Sequence, residues 1–266
     1  MFSNRLLIGQ YFPGKSFLHK LDSRSKIMAT ILYMAALFVA KSWLAYAFLS
    51  LLFVLALAVA RIPLASLLRG MKLIIFFVLI TVLMNGFFTP GETLWSWRSF
   101  NLTREGLSMG AAMGLRLILL VGFASLLTLT TEPLTLTDGL EKLLRPLRHL
   151  GVPAHEIAMM MSIALRFIPT ILEEFDRIVL AQRARGADVA KGNIAKRLAA
   201  MMPLLVPLFV AAFRRAEELA QAMEAKCYTG GEGRSRWRQS RWQAADTAYT
   251  TLFCLILLGM VVMRFV

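Results

Sequence analysis

Long apolar runs broken by short polar segments organise this chain. Ile27–Ala40 and Ser42–Ala60 are divided only by Lys41. Leu73–Phe88 follows Arg69 and Lys72 and closes at Thr89-Pro90-Gly91, and Gly106–Thr130 and Thr247–Met263 complete the series. A bilayer needs about 20 apolar residues of helix. One helix through the first two runs would be far longer, so the better reading is a tight hairpin with a short first leg, its Lys41 snorkelling to the far surface. The pattern predicts five transmembrane helices. Between the fourth and the fifth lies a block, residues 131–245, in which no run is an adequate span.

That block reads as three helices. Asp138 is placed as an N-cap with Glu141 three residues on, followed by a stripe of Leu140, Leu143, Leu144, Leu147 and Leu150 that Gly151 ends. Pro153 opens a second helix running to Gly186. The Lys191-Gly192-Asn193 turn starts a third, which runs to about Tyr228. The two long helices are each roughly 50 Å at 1.5 Å per residue, bent at Pro169, Pro203 and Pro207. Their early parts, Ile157–Ile168 and Leu198–Phe213, are apolar and carry Met159, Met160, Met161, Met201 and Met202. Their late parts are charged, with Glu173/Arg177 and Arg214/Glu218 at the stabilising i,i+4 spacing. Such helices suit the membrane interface. The expected fold is therefore all-α: a polytopic membrane protein with a transmembrane domain at 1–130, a cytoplasmic domain of amphipathic helices at 131–245, and a last transmembrane helix at 246–266.

Composition sharpens this reading. The 266 residues are 58% hydrophobic with a formal net charge of +14, whereas soluble domains average about 45–50% apolar. Arg5, Lys15, Lys20, Arg24 and Lys26 precede the first run, Arg61, Arg69 and Lys72 lie between the second and third, and most other cations fall in the block and its tail. Five crossings put all three groups on one side, which the positive-inside rule makes cytoplasmic. The N-terminus is then cytoplasmic, in a multi-pass protein of a prokaryotic cell membrane. The excess charge belongs to membrane orientation, and no nucleic-acid partner is expected. Cys227 and Cys254 lack metal-ligand spacing, and Met1–Lys26 is too polar for a signal peptide.

The sequence assembles no catalytic constellation. His19, His149 and His155 are scattered, no phosphate loop is present, and the Glu173-Glu174 and Glu217-Glu218 pairs read as solvated helix faces. The chain is expected to be no enzyme and to hold no metal. Arg116 is the one charge deep in a run, a position that marks either function or a polar gap fixing helix rotation. Gly106, Gly110 and Gly114 share a face suited to close helix approach. The methionines are either gap-filling core or an adaptable partner surface, and the second is preferred because their helices are too short to span and too apolar to be solvated. The most informative feature is a repeat: Ala181-Gln182-Arg183-Ala184-Arg185-Gly186 aligns with Ala222-Met223-Glu224-Ala225-Lys226-Cys227, 41 positions on. Each closes a long helix with a cation after an alanine. A helix dipole favours such cations, but their duplication in matching contexts suggests two plugs for paired sockets on a partner.

These residues resemble the transmembrane T component of energy-coupling factor (ECF) transporters, closest to the shared, group II type. The resemblance covers nearly the whole chain. It is carried by Ile8-Gly9-Gln10-Tyr11, Leu18-His19-Lys20-Leu21-Asp22, Leu126-Leu127-Thr128-Leu129-Thr130-Thr131, Thr137-Asp138-Gly139-Leu140-Glu141, Leu165-Arg166-Phe167-Ile168-Pro169-Thr170 and the paired signatures. It implies a scaffold working with two ABC-type ATPases, which bind the ATP and Mg while this chain holds no cofactor. It also implies a vitamin-binding S component that selects the substrate. On it, Ala184, Arg185 and Gly186 would dock one ATPase and Ala225, Lys226 and Cys227 the other, with the methionines facing the S component. The second signature departs from the usual Ala-Arg-Gly: lysine lacks the guanidinium fork, and cysteine lacks glycine's left-handed freedom. A different reading of the same features is a non-transporting membrane anchor that recruits cytosolic partners.

Overall fold

The computed structural model describes residues 11–14, 16–97, 100–144, 146, 153–185, 194–230 and 242–265. In chain order the elements are α1 (Phe17–Lys20), α2 (Ser23–Val39), α3 (Trp43–Ala60), α4 (Leu64–Phe88), β1 (Thr93–Trp97), β2 (Phe100–Thr103), α5 (Arg104–Thr130), α6 (Pro133–Leu144), α7 (Ala154–Ala184), α8 (Ile194–Ala225) and α9 (Ala244–Phe265). They fall into two compact units, one made of Gly9–Leu143 with Gln239–Val266, the other dominated by α7 and α8.

The first unit is a bundle of spans around an aromatic centre. Tyr33 of α2 stacks on Phe123 of α5 with ring centroids 4.1 Å apart, and Phe253 of α9 meets Phe123 edge-on at 5.6 Å. Edge and offset contacts suit the ring quadrupole. Tyr33 Oη donates to the Leu49 carbonyl of α3, so the fourth helix is tied to the same point. Outside this centre the bundle is apolar to its surface: Leu73, Phe76, Phe77 and Leu83 of α4 are all exposed. Side chains of this kind belong against lipid or a partner, not water.

Gly106, Gly110 and Gly114 are buried against α4. A Cβ on Gly106 would collide with the Asn85 carbonyl, and one on Gly110 would stand 3.0 Å from Val82 Cα. The glycine face is therefore the seam of the α4–α5 pair. At the open end of that pair, Thr103 caps α5 by accepting from Gly106 N–H and donates to the Thr89 carbonyl.

Four expectations need correction. First, the stretch between the third and fourth apolar runs, to which the pattern assigns no element, holds β1 and β2 as an antiparallel hairpin, Trp95 opposite Leu102 and Trp97 opposite Phe100. Second, Asp138 is no N-cap. The helix starts at Pro133, whose ring suits a first turn, with Leu136 N–H bonded to Glu132 O and Thr137 Oγ1 donating to Pro133 O. Leu147, Leu150 and Gly151 lie outside the described residues. Third, residues 131–245 do contain a helix long and apolar enough to cross a membrane, His155–Ala184. Fourth, five described helices meet that standard, but the set is α3, α4, α5, α7 and α9. The first leg α2 is 17 residues, about 26 Å. An amphipathic helix with one rich apolar face averages out as apolar, which is how α7 enters the set.

The helix ends that carry the paired signatures

In the second unit α7 and α8 run antiparallel. Gln182 near the end of α7 bonds Pro203 near the start of α8, Glu174 faces Arg215 at 3.9 Å, and His155 Nε2 lies 3.5 Å from Tyr228 Oη. The ends of the two helices therefore lie at opposite extremes of the pair, about 45 Å apart along α7 at 1.5 Å per residue.

Those ends are built alike. Helix α7 stops at Ala184, and Arg185 is its C-cap, its N–H bonded to the carbonyls of Ala181 and Gln182. Helix α8 stops at Ala225, and Lys226 makes the matching bonds to Ala222 and Met223. Arg185 and Lys226 are both exposed, and neither side chain bonds to another described residue. The repeat in sequence is thus a repeat in structure: an alanine closes the helix and a solvent-facing cation caps it.

Beyond the cation the second end shows what a cysteine does in glycine's place. Cys227 has φ of 53°, in the left-handed region. Its N–H bonds Glu224 O at 2.8 Å, and Tyr228 N–H reaches back to Met223 O at 3.0 Å. This pair of bonds is the Schellman closure, which normally takes glycine at the left-handed position. The helix does end here, with Cys227 in a conformation that costs an L-residue about 1–2 kcal/mol. Gly186, its counterpart at the first end, lies outside the described residues.

The methionines lie along the same pair, Met201 and Met202 just ahead of Pro203 and Met159 one turn beyond His155. Met160, Met161, Met201 and Met202 are 43–63% exposed and Met159 is half-buried, so they do not fill the interior of their own unit.

Arg116 occupies the first unit. From the middle of α5 its Nη2 donates to the Ala40 carbonyl at 3.2 Å and to Tyr46 Oη at 2.6 Å, and its guanidinium lies over the rings of Phe38 and Tyr46. Ala40 is the C-cap of α2, so the charge sits on the carbonyl end of a helix inside the bundle.

One contact had only a faint signal in the residue pattern. Pro207 has no N–H to give the carbonyl four residues back, and that carbonyl, Pro203 O, accepts from Gln182 Nε2 at 3.3 Å. The first signature stretch thus supplies a bond that Pro207 removes from α8. Only the spacing of Pro203 and Pro207, read together with a long polar side chain on the neighbouring helix, pointed there.

Comparison with known proteins gives a consistent answer. The family model described as cobalt transport protein (CbiQ) matches residues 14–237. The energy-coupling factor transporter transmembrane protein EcfT of Acidaminococcus fermentans is 52% identical over 252 residues, covering 95% of this chain and 94% of its own. Proteins of the same name from Thermosediminibacter oceani and Bacillus subtilis are 47% and 46% identical, covering 98% and 91% of this chain and 98% and 92% of their own.

Proposed function

The chain belongs to the EcfT family of transmembrane components of energy-coupling factor transporters, and we propose that it is the scaffold through which two ATPase subunits drive import of a substrate held by a separate membrane subunit. The observation that carries this reading is the structural equivalence of Arg185 and Lys226. Two exposed cationic helix ends, alike in their described capping bonds and at opposite extremes of one helix pair, suit a partner that presents two like sockets, as a dimer of ATPases does. Ala184, Arg185 and Gly186 engage one socket, and Ala225, Lys226 and Cys227 the other. ATP and Mg belong to those partners.

Closure of the ATPase pair moves the two sockets, and the long helices carry the displacement. Their bends at Pro169, Pro203 and Pro207 and the exposed methionines lie between the tips, where Met159–Met161, Met201 and Met202 meet the substrate-binding S component. The substrate class is a vitamin or similar micronutrient chosen by that subunit.

We read α7 as an interfacial helix on the cytoplasmic side, although its length and composition would allow a crossing. Glu173, Glu174, Asp176, Arg177 and Arg183 crowd its second half, and charges of that number are not placed in hydrocarbon. The crossings are then α2, α3, α4, α5 and α9, with the N-terminus cytoplasmic and the coupling block at 131–245.

The test is double charge reversal, Arg185→Glu with Lys226→Glu, in the complex co-purified from membranes. Recovery of the ATPases should fall while the S component stays bound through the apolar surface. Unchanged ATPase recovery and transport would reject the docking role.

A further inference from the structure

Two stretches of chain connect the units: one leaves through α6 and the other returns just ahead of α9. Both are fastened to the same turn of α2. Asp246, 1% exposed at the start of α9, accepts at Oδ1 from Asp22 N–H and from Ser25 Oγ, both at 2.8 Å, and at Oδ2 from Gln243 N–H at 2.9 Å. On the other side Lys26 Nζ donates to Thr130 O at 3.1 Å and Thr131 Oγ1 at 3.3 Å, the residues that end α5 and lead into α6. Helix α6 itself comes close enough that a Cβ on Gly139 would collide with Ser23 Oγ and stand 2.9 Å from Ser23 Cβ. Arg24 pairs with the Asp22 carboxylate at 3.1 Å and lies over the Trp242 ring, in the return segment.

Lys26 lies just ahead of the apolar run of its helix. It is 5% exposed there. Buried ionic groups are weak sources of stability but strongly specify geometry when every member is satisfied. The residues involved also include three of the stretches on which the family resemblance rests, at Asp22, at Thr130-Thr131 and at Gly139. Docking by the helix tips gives none of them a task.

We propose that the Asp22–Lys26 turn, clamped by Asp246, is the fulcrum of this subunit. It is a positioning site that grips both connections to the long helices, so that their displacement moves the spanning helices instead of being absorbed in slack chain. Asp246 and Lys26 are its two jaws. The inference rests on the ATPase-coupled reading above.

Amide hydrogen exchange on the full chain purified with its ATPases, with and without MgATP, tests it. In the parent complex MgATP should alter exchange in α7–α8 and also in the second half of α5 and in α6. In Asp246→Asn the α7–α8 response should persist while the α5–α6 response falls by roughly fivefold or more, the lower range of measured coupling between sites. Ser25→Ala, which deletes one donor to the same carboxylate, should show a smaller loss in the same place and serves if Asp246→Asn does not assemble. Leu49→Val, a core change away from the turn, should lower melting without altering the α5–α6 response. An unaltered α5–α6 response in both turn variants, an equal loss in Leu49→Val, or failure of both turn variants to assemble overturns the fulcrum and leaves a folding element. Absence of any MgATP response in α7–α8 of the parent complex instead overturns the ATPase-coupled reading, and the fulcrum with it.

Discussion

Arg116 and Arg185 both stand where a helix runs out of N–H donors for its last carbonyls. Arg116 reaches across from α5 to the end of α2, shares the Ala40 carbonyl with Tyr46 Oη, and lies against two aromatic rings. Arg185 caps its own helix through the backbone and sends its side chain outward. Ala40 is buried at the end of α2, so its carbonyl must find a donor within the protein. At the tip of α7 the guanidinium is exposed and meets no described partner. The same residue type at the same local feature is internal glue in one unit and an exposed cation in the other.

Charge reversal at the exposed tips should break the comparison most sharply. Arg185→Glu with Lys226→Glu should reduce ATPase recovery tenfold or more, since unpairing an interfacial charge costs about 2–5 kcal/mol. Melting of the isolated chain should barely change, as for most surface substitutions, within about 0.5 kcal/mol. Calorimetry or fluorescence melting beside quantitative pull-down reads both effects, and a large melting shift would mean that the tips serve the fold.

Tyr46→Phe should do the opposite. It removes an acceptor from a charged donor and a donor from the Ala40 carbonyl, and leaving buried groups short of partners costs about 1–3 kcal/mol. Melting in detergent should fall while ATPase recovery per folded molecule stays constant. Recovery that falls with no melting change would place Tyr46 and Arg116 in a partner interface.

The gentlest test lies within the exposed class. Cys227→Gly should relieve the left-handed cysteine and raise stability by about 0.5–1 kcal/mol, the relief being offset in part by glycine's greater freedom when unfolded. A membrane-impermeant maleimide supplies the companion measurement at a single pH, because thiolate fraction sets the rate. It should label Cys227 in inside-out vesicles stripped of ATPases and be blocked once ATPases are added. Equal labelling in both conditions would detach the second tip from docking.

Much of this arrangement was legible in the residues, for physical reasons that can be named. Helix α5 announced itself because 27 residues with one internal charge have few other solutions in a membrane, and its glycine face carried a helix-packing period. The paired tips were visible because alanine–cation steps recur in register. The hairpin β1–β2 escaped because Arg98-Ser99, between its strands, lacks the Asn-Gly or Asp-Gly turn chemistry that marks two-residue connections. The start of α6 escaped because Asp138 mimics an N-cap while Pro133, five residues earlier, is the real opening. The partner of Arg116 was out of reach too: periodicity places a charge on a helix, but the carbonyl it meets lies 76 positions away.

The turn at Ala40 has a further consequence for the lipid around it. From Arg116, which touches that turn, α5 continues for 12 residues toward Arg104, roughly 18 Å. Over that height α4 and α5 stand without α2 and α3 beside them, and the exposed Lys41 marks where the shorter pair stops. If α2–α5 cross as proposed, acyl chains at this end of the bundle meet a step in the protein wall. They can follow it by thinning locally, at a cost of a fraction of a kcal/mol per Å of mismatch. Longer-chain lipids should therefore press on the short hairpin before they trouble any other part of the bundle.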